Sequence, residues 1–393
     1  MPHITDFETF LIDTPIERSF EQAERSVARV TEVVVRLHAS DGSTGIGTGA
    51  ALHTIRGPVE DSPLRGVAHM VRDHVAPAVV GGDPLRTEDL WARMFALTMD
   101  KRSPLSSRSG TVYPKGLDWP QTMAAIAAVD IAVWDLAGHV MGQPLWKLLG
   151  GYRDHVPAYT TGGYYGTGGD DGLAAEFEGY VAAGYRVVKL KAGGRRPEDD
   201  VARARTVREA IGPDIELLVD AHRGWTVEQA IRAGLDYERI GVGWFEEPAP
   251  WYDDVDGLAR IRRNVRIPIT SGESEVNAHG AIALIDRGMI DVCNFDATKG
   301  GGLTEARRAA TYAAFRGVEI APHHAADIHA HLAAAVPNGR IVEAHGDPAR
   351  DPLAGNLLVG GPHFEEGNLV LSDRPGLGVT LDEEFLETVG ERL

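Results

Sequence analysis

The feature that most constrains the fold is a repeat of short apolar segments and amphipathic segments that begins near residue 156. The apolar segments have the length of buried strands, and the segments between them place apolar residues at helical spacing, as Val201, Ala204 and Val207 do. Eight strands that alternate with helices predict a parallel (β/α) barrel. The predicted strands are Val156–Gly162, Tyr185–Lys191, Ile215–His222, Val242–Pro248, Ile267–Glu273, Val292–Thr298, Val318–His324 and Gly339–His345.

The 393 residues are too many for one ordinary core and suit a large barrel with a smaller domain. We expect an N-terminal α+β capping domain over residues 1–125, the barrel over residues 126–352, and a C-terminal segment over residues 353–393 that packs back on the capping domain. Lys101–Pro120 is a long polar stretch, and loops of that length inside a compact domain are usually functional. The capping domain is therefore expected to supply loops that cover a site in the barrel.

Within the capping domain, Thr31–Ala39 alternates apolar and polar residues as a strand does, and Asp41–Gly42 marks a turn. Residues 64–80 and 83–98 have helical patterns. Gly45–Gly49 has three glycines at alternate positions, which resembles a phosphate-binding loop. Since it lies in a hairpin with no helix opening behind it, we interpret it as a glycine-rich β segment.

The overall charge limits the partners. A net charge of −18 repels nucleic acid and anionic membranes, but it permits a small anionic substrate in a pocket that holds a metal ion and lysines. The lone cysteine, Cys293, cannot form an intrachain disulfide. The N-terminus lacks a signal-peptide pattern, and the apolar runs are interpreted as far shorter than the roughly 20 residues that span a bilayer. We therefore predict a cytoplasmic protein that binds neither nucleic acid nor membranes, and we expect a homo-oligomer.

Ionisable residues lie near the C-terminal ends of seven of the predicted strands, at intervals of 20 to 29 residues along the chain. A barrel enzyme works from the C-terminal ends of its strands, so these side chains should converge on one mouth. Any one of them alone is more often a solvated strand end, and the full set is the stronger signal. They are Lys191, Asp220, Glu246, Glu273, Asp296, His323 and Glu343.

Three of these residues, Asp220, Glu246 and Glu273, are carboxylates on adjacent strands. Such an oxygen-rich set suits Mg²⁺, whereas zinc prefers His or Cys ligands. The alternative is a structural network in which lysines neutralise the carboxylates. That alternative would leave three like charges crowded together without a divalent partner, which is costly.

Lysine and histidine side chains supply candidate bases. Lys189 and Lys191 project to the same face of a strand, and we expect their mutual repulsion to lower the pKa of an amine enough for a neutral lysine base. By the same alternation His222 should point at the mouth beside Asp220. A hydrogen bond from His323 to Asp296 would orient the imidazole and raise its basicity. The remaining histidines are interpreted as structural or surface residues, namely His324, His329, His331 and His345.

The chain resembles the enolase superfamily, and within it the mandelate racemase-like group, over essentially its full length. The resemblance implies an α/β fold with a modified TIM barrel, (β/α)7β, whose N-terminal α+β capping domain is completed by the C-terminal tail. The matching stretches are Trp134–Gly138, Gly142–Leu145, Leu148–Gly151, Lys189–Lys191, Leu218–Asp220, Phe245–Pro248, Gly272–Glu273, Asp296–Gly301, His323 and Glu343.

The resemblance also implies roles for single residues. Asp220, Glu246 and Glu273 would bind Mg²⁺, with Glu247 as their neighbour. Lys191 would be the base on one face of the substrate, assisted by Lys189, and His323 paired with Asp296 would act on the opposite face. Glu343 would hydrogen-bond the substrate carboxylate. The α-proton of a carboxylate is barely acidic, so a divalent ion and hydrogen-bond donors must stabilise the charge that develops.

Three functions remain open at this point. The first is dehydration of an acid sugar to a 2-keto-3-deoxy acid, in which His222 or His323 protonates the departing hydroxide. The second is racemisation or epimerisation of a 2-hydroxy or amino acid derivative, in one variant with Lys299 as the second base. The third is a catalytically silent binding protein. His222 is the departure from the group, where Asn is common, and the group's members with histidine there often lack the paired lysines.

Loops of the capping domain would select the substrate, which we expect to be a small carboxylate such as a sugar acid. The candidates to contact its hydroxyls or a distal carboxylate are Arg18, Phe20, Arg102 and Arg108. The alternative is that they are solvated loop residues.

Overall fold

The protein was analysed as a computed structural model, which describes residues 2–23, 25–54, 63–99, 119–166, 170–250, 253–344 and 349–393. Arg102, Arg108 and His345 lie outside the described residues, and Arg18 is described by its backbone alone.

Eight parallel strands form the barrel. Each strand from β4 to β10 pairs with the next, β11 pairs with β4, and a parallel bridge between Ile320 and Gly339 joins β10 to the segment before β11, so the sheet closes on itself. All eight predicted strands are present; β4 and β5 end where predicted, and the paired segments of the other six stop earlier than predicted. The strands are β4 His155–Gly162, β5 Val187–Lys191, β6 Glu216–Asp220, β7 Val242–Glu246, β8 Ile269–Ser271, β9 Val292–Cys293, β10 Glu319–Ile320 and β11 Val342–Glu343.

Seven helices follow β4 to β10, one after each strand, which confirms the predicted (β/α)7β arrangement. Local sequence sets their ends. At the start of the third helix, the side chain of Thr226 accepts a hydrogen bond from the N–H of Gln229, and the side-chain oxygen of Gln229 accepts one from the N–H of Thr226. Gly241 ends this helix with a left-handed φ of 75°. The helices are α5 Leu173–Ala182, α6 Pro197–Ile211, α7 Val227–Ile240, α8 Asp254–Asn264, α9 Ala278–Asp286, α10 Leu303–Phe315 and α11 Ala326–Ala335.

The capping domain contains an antiparallel sheet in the order β16-β1-β2-β3. Val33, Val35 and Leu37 are fully buried at alternate positions, as the pattern predicted, and the turn glycine Gly42 has a φ of 89°. The strands of this sheet are β1 Ile4–Gln22, β2 Arg25–Ala39, β3 Thr44–Thr54 and β16 Gly390–Arg392. Its short helical segments are α1 Pro63–Met70, a π-helical turn Val71–Val75, a 3-10 turn Ala76–Ala78 and α2 Thr87–Ala96.

The glycines of β3 bring a long helix, α3 Trp119–Met141, directly against the sheet. A Cβ atom at Gly47 would lie 2.2 Å from the carbonyl oxygen of Ala128, and one at Gly45 would lie 2.3 Å from that of Ala132. No side chain fits between these backbones, which explains the alternate glycines. The interpretation as a β segment rather than a phosphate loop is therefore confirmed.

α3 also corrects an expectation about membranes. By length and composition it is apolar enough to cross a bilayer, so the statement that all apolar runs are far shorter was wrong. Within the protein, 89% of its most apolar window is buried, because α3 packs on β2 and β3 and also contacts α10. A helix that is apolar on all sides is expected where protein surrounds it.

The C-terminal segment contacts both parts of the molecule. A hairpin of β13 and β14 pairs antiparallel with barrel strand β4, while β16 extends the capping sheet beside β1. The expected packing on the capping domain is found at both the start and the end of the segment, since Leu353, Leu357, Leu381 and Leu386 share a hydrophobic cluster with Phe10 and Ile12 of β1. Its elements are β12 Leu358–Val359, β13 His363–Glu365, β14 Asn368–Val370, β15 Thr380–Leu381 and α12 Glu383–Val389, and the four-residue α4 Leu145–Leu148 precedes the barrel.

Candidate active site

The strand ends bring the predicted residues to one mouth of the barrel. In the ladder, Lys191 of β5 is the partner of Asp220 in β6, and Asp220 is the partner of Glu246 in β7. Glu343 ends β11, and Glu273 lies two residues beyond β8. All five residues are buried, so their charges interact with little screening by water.

Both lysines of β5 are paired with carboxylates. Nζ of Lys191 lies 2.5 Å from Oδ2 of Asp220. Nζ of Lys189 lies 2.9 Å from Oε1 of Glu246 and 3.2 Å from Oε1 of Glu343, and it donates to the hydroxyl of Tyr159 at 3.3 Å. Both ammonium groups are therefore held by acids of other barrel strands.

These pairs reverse one expectation from the sequence. Burial is the largest influence on the pKa of the Lys191 ammonium and lowers it, but Asp220, Tyr164 and Glu343 together outweigh burial and the pKa is raised. In Lys189, Glu246 and Glu343, with Tyr159 and Asp220, together outweigh burial and raise the pKa well above the ordinary value. Lys189 does lower the pKa of Lys191, as predicted, but carboxylates of other strands contribute more than the neighbouring amine, so the net lowering expected from the sequence is not found.

Glu343 and Glu246 accept several further hydrogen bonds. Glu343 accepts from the hydroxyl of Thr161 and, at 3.2 Å, from the backbone N–H of His324. The indole N–H of Trp244 donates to Oε2 of Glu246 at 3.1 Å. The sequence analysis did not predict the roles of Tyr159, Thr161 and Trp244. The available signal was strand alternation, because each lies on a barrel strand two residues from another residue that faces the mouth or the barrel interior.

Asn294 is another missed residue, and it contacts two of the predicted metal ligands. Its amide nitrogen lies 3.3 Å from Oε1 of Glu246 and 3.1 Å from Oε2 of Glu273, and its Oδ1 accepts the backbone N–H of Glu273 at 3.0 Å. The available signal was its position two residues before Asp296. It was overlooked because only ionisable residues were considered.

The charges of the site fit a divalent cation. The carboxylates of Asp220, Glu246 and Glu343 face the two ammonium groups of β5, and Glu273 lies near His323, so carboxylates are crowded together at this mouth. Burial, with added repulsion from Asp220 and Glu273, raises the pKa of Glu246 well above its ordinary value. A divalent cation would remove this repulsion.

As the side chains lie, no group of three His, Cys, Asp or Glu residues in the described ranges is arranged to hold a metal ion. Lys191 occupies one oxygen of Asp220, and Lys189 occupies one oxygen of Glu246. A cation bound by Asp220, Glu246 and Glu273 would therefore compete with both lysines for these carboxylates.

On the other side of the mouth, Asp296 and His323 lie together. Nδ1 of His323 is 3.0 Å from Oδ2 of Asp296, and its Nε2 is 3.6 Å from Oε2 of Glu273. Nζ of Lys299 also lies 3.2 Å from Asp296. Burial opposes the charge of Asp296, but Lys299 and the hydrogen bond from His323 outweigh it and hold the pKa of Asp296 well below its ordinary value.

His329 supports this pair from the helix that follows. Its Nδ1 donates to the carbonyl oxygen of His324 at 2.7 Å, which leaves Nε2 to accept the backbone N–H of Ala297 at 3.0 Å. His329 is fully buried, as is His331, which contacts the carbonyl oxygen of Leu377. Both agree with the interpretation of these histidines as structural.

His222 and Glu247 have unusual backbones. β6 ends at Asp220, and His222 has a φ of 43°, so the strict alternation of strand faces does not extend to it. Its backbone N–H donates to Oδ1 of Asp220 at 2.7 Å. Glu247 also has a φ of 43°, and its carboxylate contacts Arg223 at 2.5 Å. Positive φ values in residues other than glycine often occur at functional sites.

Comparison with known proteins identifies the family. Residues 6–150 match the description "Mandelate racemase / muconate lactonizing enzyme, N-terminal domain", and residues 172–385 match "Enolase C-terminal domain-like". The chain belongs to the mandelate racemase/muconate lactonizing enzyme family of the enolase superfamily. This confirms the resemblance inferred from the strand-end motifs.

Relatives of known activity perform several reactions. The chain is 33% identical to a 3,6-anhydro-alpha-L-galactonate cycloisomerase of Streptomyces coelicolor, with 90% of each chain covered. It is 30% identical to a D-galactarolactone cycloisomerase of Agrobacterium fabrum over 98% of this chain and 97% of that one. It is 29% identical to an arabinonate dehydratase of Saccharolobus solfataricus over 90% and 89%.

Solved structures share the whole fold. A family member from a marine actinobacterium, in complex with magnesium, is 31% identical over 100% of both chains with a TM-score of 0.86. The L-talarate/galactarate dehydratase of Salmonella typhimurium, liganded with Mg and L-lyxarohydroxamate, is 26% identical over 99% of this chain and 93% of that one with a TM-score of 0.84.

Of the four residues of the capping domain that were predicted to contact the substrate, Phe20 is the one whose side chain the structure describes. It is buried, and its ring centroid lies 4.3 Å from that of Tyr164, which follows barrel strand β4. The Tyr164 ring also lies 5.9 Å from Nζ of Lys191 and 4.9 Å from the guanidinium carbon of Arg350. The capping domain thus meets the barrel beside Lys191, and the sequence missed Tyr164 and Arg350.

Proposed function

We propose that this protein uses Mg²⁺ to remove the proton α to a carboxylate, and that its main reaction is dehydration of an acid sugar to a 2-keto-3-deoxy acid. The observation that carries the proposal is the arrangement of the mouth. Lys191 and the Asp296–His323 pair belong to different strands, β5 and the ends of β9 and β10, and the carboxylates of β6, β7 and β8 lie between them.

Asp220, Glu246 and Glu273 would hold the metal. When bound, Mg²⁺ supplies positive charge that stabilises the negative charge developing on the substrate carboxylate. Magnesium in solved relatives and the repulsion among the carboxylates of this site both support the assignment. Lys191, freed from Asp220, would then be able to take a proton.

The remaining residues would orient and deprotonate the substrate. Nζ of Lys189 and Oε1 of Glu343 lie 3.2 Å apart. Lys189 would contact the substrate carboxylate by charge, and Glu343, in its protonated form, would donate a hydrogen bond to it. Lys191 would act on the α-proton from one face. His323, oriented by Asp296, would act on the other face or protonate the departing hydroxide. His222, beside Asp220, is the second candidate for that acid.

Cycloisomerisation is a second candidate, favoured by the two cycloisomerases among the relatives that are at least 30% identical. Removal of the same α-proton expels a β-hydroxyl as water in a dehydration. If the group on the β-carbon is instead a ring oxygen, the same step opens the ring without loss of atoms. Epimerisation needs bases on both faces, which Lys191 and His323 would also provide.

One screen in D₂O separates these reactions. The purified protein with Mg²⁺ is incubated with mono- and diacid sugars, their lactones and anhydro acids, and each product is analysed by mass and for a 2-keto group. Dehydration yields a keto acid lighter by one water, cycloisomerisation an isomer, and epimerisation α-deuterated substrate without a keto acid. Exchange of α-protons without dehydration of any acid sugar would overturn the dehydratase proposal. Cytoplasmic location and homo-oligomeric assembly stay predictions.

A further inference from the structure

We infer that Asn294 is a positioning residue that holds the carboxylates of Glu246 and Glu273 beside one another for binding of a divalent cation. The inference rests on the proposed function only in taking these two residues as metal ligands. The structure brings their oxygens to one amide group, although the two carboxylates belong to different strands of the barrel.

The amide of Asn294 has one orientation that satisfies its surroundings. Oδ1 accepts the backbone N–H of Glu273 at 3.0 Å, so the nitrogen must face the carboxylates. Each of its two protons then donates to one carboxylate, with the nitrogen 3.3 Å from Oε1 of Glu246 and 3.1 Å from Oε2 of Glu273. A flipped amide would point its oxygen at two negative groups, and burial of the side chain, with 1% exposed, excludes a compensating water shell.

The backbone of Asn294 is held as firmly as its side chain. Its N–H donates to the carbonyl oxygen of Ser271 in β8, and its own carbonyl oxygen accepts the N–H of His323, both at 3.3 Å. Asn294 therefore connects the carboxylate side of the mouth with the His323 side. A side chain anchored in this way can fix the distance between two ligands rather than follow their movement.

The chemistry of Mg²⁺ makes this distance important. Mg²⁺ requires near-ideal octahedral geometry, and two unrestrained carboxylates repel each other away from it. A neutral donor that bonds to both holds them without neutralising the charge that attracts the cation. Lys189 is different in this respect, since its ammonium competes with the cation for Glu246.

The test measures Mg²⁺ binding to the substrate-free protein by titration calorimetry. Asn294→Ala should raise the Kd for Mg²⁺ about 10- to 100-fold, the usual effect of removing a group that orients metal ligands. The matched control is Asn338→Ala. Asn338 also donates two hydrogen bonds, to the carbonyl oxygens of Ala310 and Val318 at 3.1 Å, but it lies near the opposite ends of the barrel strands. The control should keep the wild-type Kd.

Activity gives a second readout once a substrate is known. Because Asn294 would act through the ligands, saturating Mg²⁺ should restore most of the kcat of Asn294→Ala. A wild-type Kd in that variant would overturn the inference, as would a kcat loss that Mg²⁺ does not relieve. If the alanine variant does not fold, Asn294→Ser undergoes the same titration with the same criteria.

Failure of the proposed reaction is distinguishable. A protein that dehydrates no acid sugar, but whose Mg²⁺ affinity depends on Asn294, retains the inference. Wild-type protein that binds no Mg²⁺ overturns both the metal assignment and the role of Asn294.

Discussion

The two faces of the barrel mouth hold their candidate bases in different ways. On the lysine face, the ammonium of Lys191 bonds directly to Asp220, which is itself a proposed metal ligand. On the histidine face, His323 bonds to Asp296, which is not a proposed ligand. The cation would therefore bind the carboxylate that is paired with Lys191, whereas it would not bind the carboxylate that is paired with His323.

This difference indicates what each face needs before it can act. A lysine takes up a proton only when its amine is neutral, and the charge of Asp220 keeps the pKa of Lys191 raised. Coordination of Asp220 to Mg²⁺ would weaken that charge and lower the pKa of the amine. The lysine face would thus depend on the metal for its base, whereas His323 is oriented by its bond to Asp296, with its Nε2 at 3.6 Å from Oε2 of Glu273.

Removal of the metal should have the largest effect, because it disables the lysine face and the stabilisation of the developing charge together. A chelator, or Glu246→Gln, should lower kcat/KM by at least about 10³-fold, since a catalytic metal supplies several kcal/mol. Glu216→Gln is the control, because Glu216 begins the neighbouring strand at the opposite end of the barrel and pairs with Arg340. Full activity in metal-free buffer would contradict the assignment of the three carboxylates.

Substitution of each base should separate the two faces. His323→Asn and Lys191→Met should each lower kcat by about 10² to 10⁴, the usual contribution of a general acid or base, with little change in KM. In D₂O each variant should lose α-proton exchange from one configuration and keep it from the other. His155→Asn, an exposed histidine paired with Asp154, should be silent. Loss of both exchanges in both variants would show that the faces do not act independently.

Asp296→Asn tests whether the histidine face is independent of the metal. Loss of the carboxylate that orients His323 should lower kcat about 10- to 100-fold, an effect typical of supporting groups. The Kd for Mg²⁺ should stay unchanged, because no hydrogen bond joins Asp296 to Asp220, Glu246 or Glu273 within the described ranges. A weakened Kd would mean that the two faces are coupled.

Most of the residues on the two faces of the mouth could be predicted from the sequence. Asp220, Glu246 and Glu343 each end an apolar run, and the position of an active site at the C-terminal ends of barrel strands is a property of the fold. The pairing of Asp296 with His323 could be anticipated for the same reason, since they follow consecutive strands.

Other features depend on distances between strands that no sequence pattern contains. The raised pKa of Lys191 results mainly from Asp220, 29 positions away, while the pattern showed only the neighbouring Lys189. Asn294 and Trp244 were missed because a neutral donor shows its importance only when the groups it bonds are located. The burial of α3 was missed because apolar composition alone does not distinguish a membrane span from a helix enclosed by protein.

Lys299 should have the smallest effect and gives the most direct test of the histidine face. Asp296, with smaller contributions from Glu273 and Glu343, outweighs burial and raises the pKa of Lys299. Asp296, its ion-pair partner, is not a proposed metal ligand. Lys299 should therefore stay protonated, unlike Lys191, and act only by holding Asp296 ionised. Lys299→Met should lower kcat less than about 10-fold, since the hydrogen bond from His323 to Asp296 persists. A loss as large as that of His323→Asn, with exchange abolished on the same face, would make Lys299 the second base.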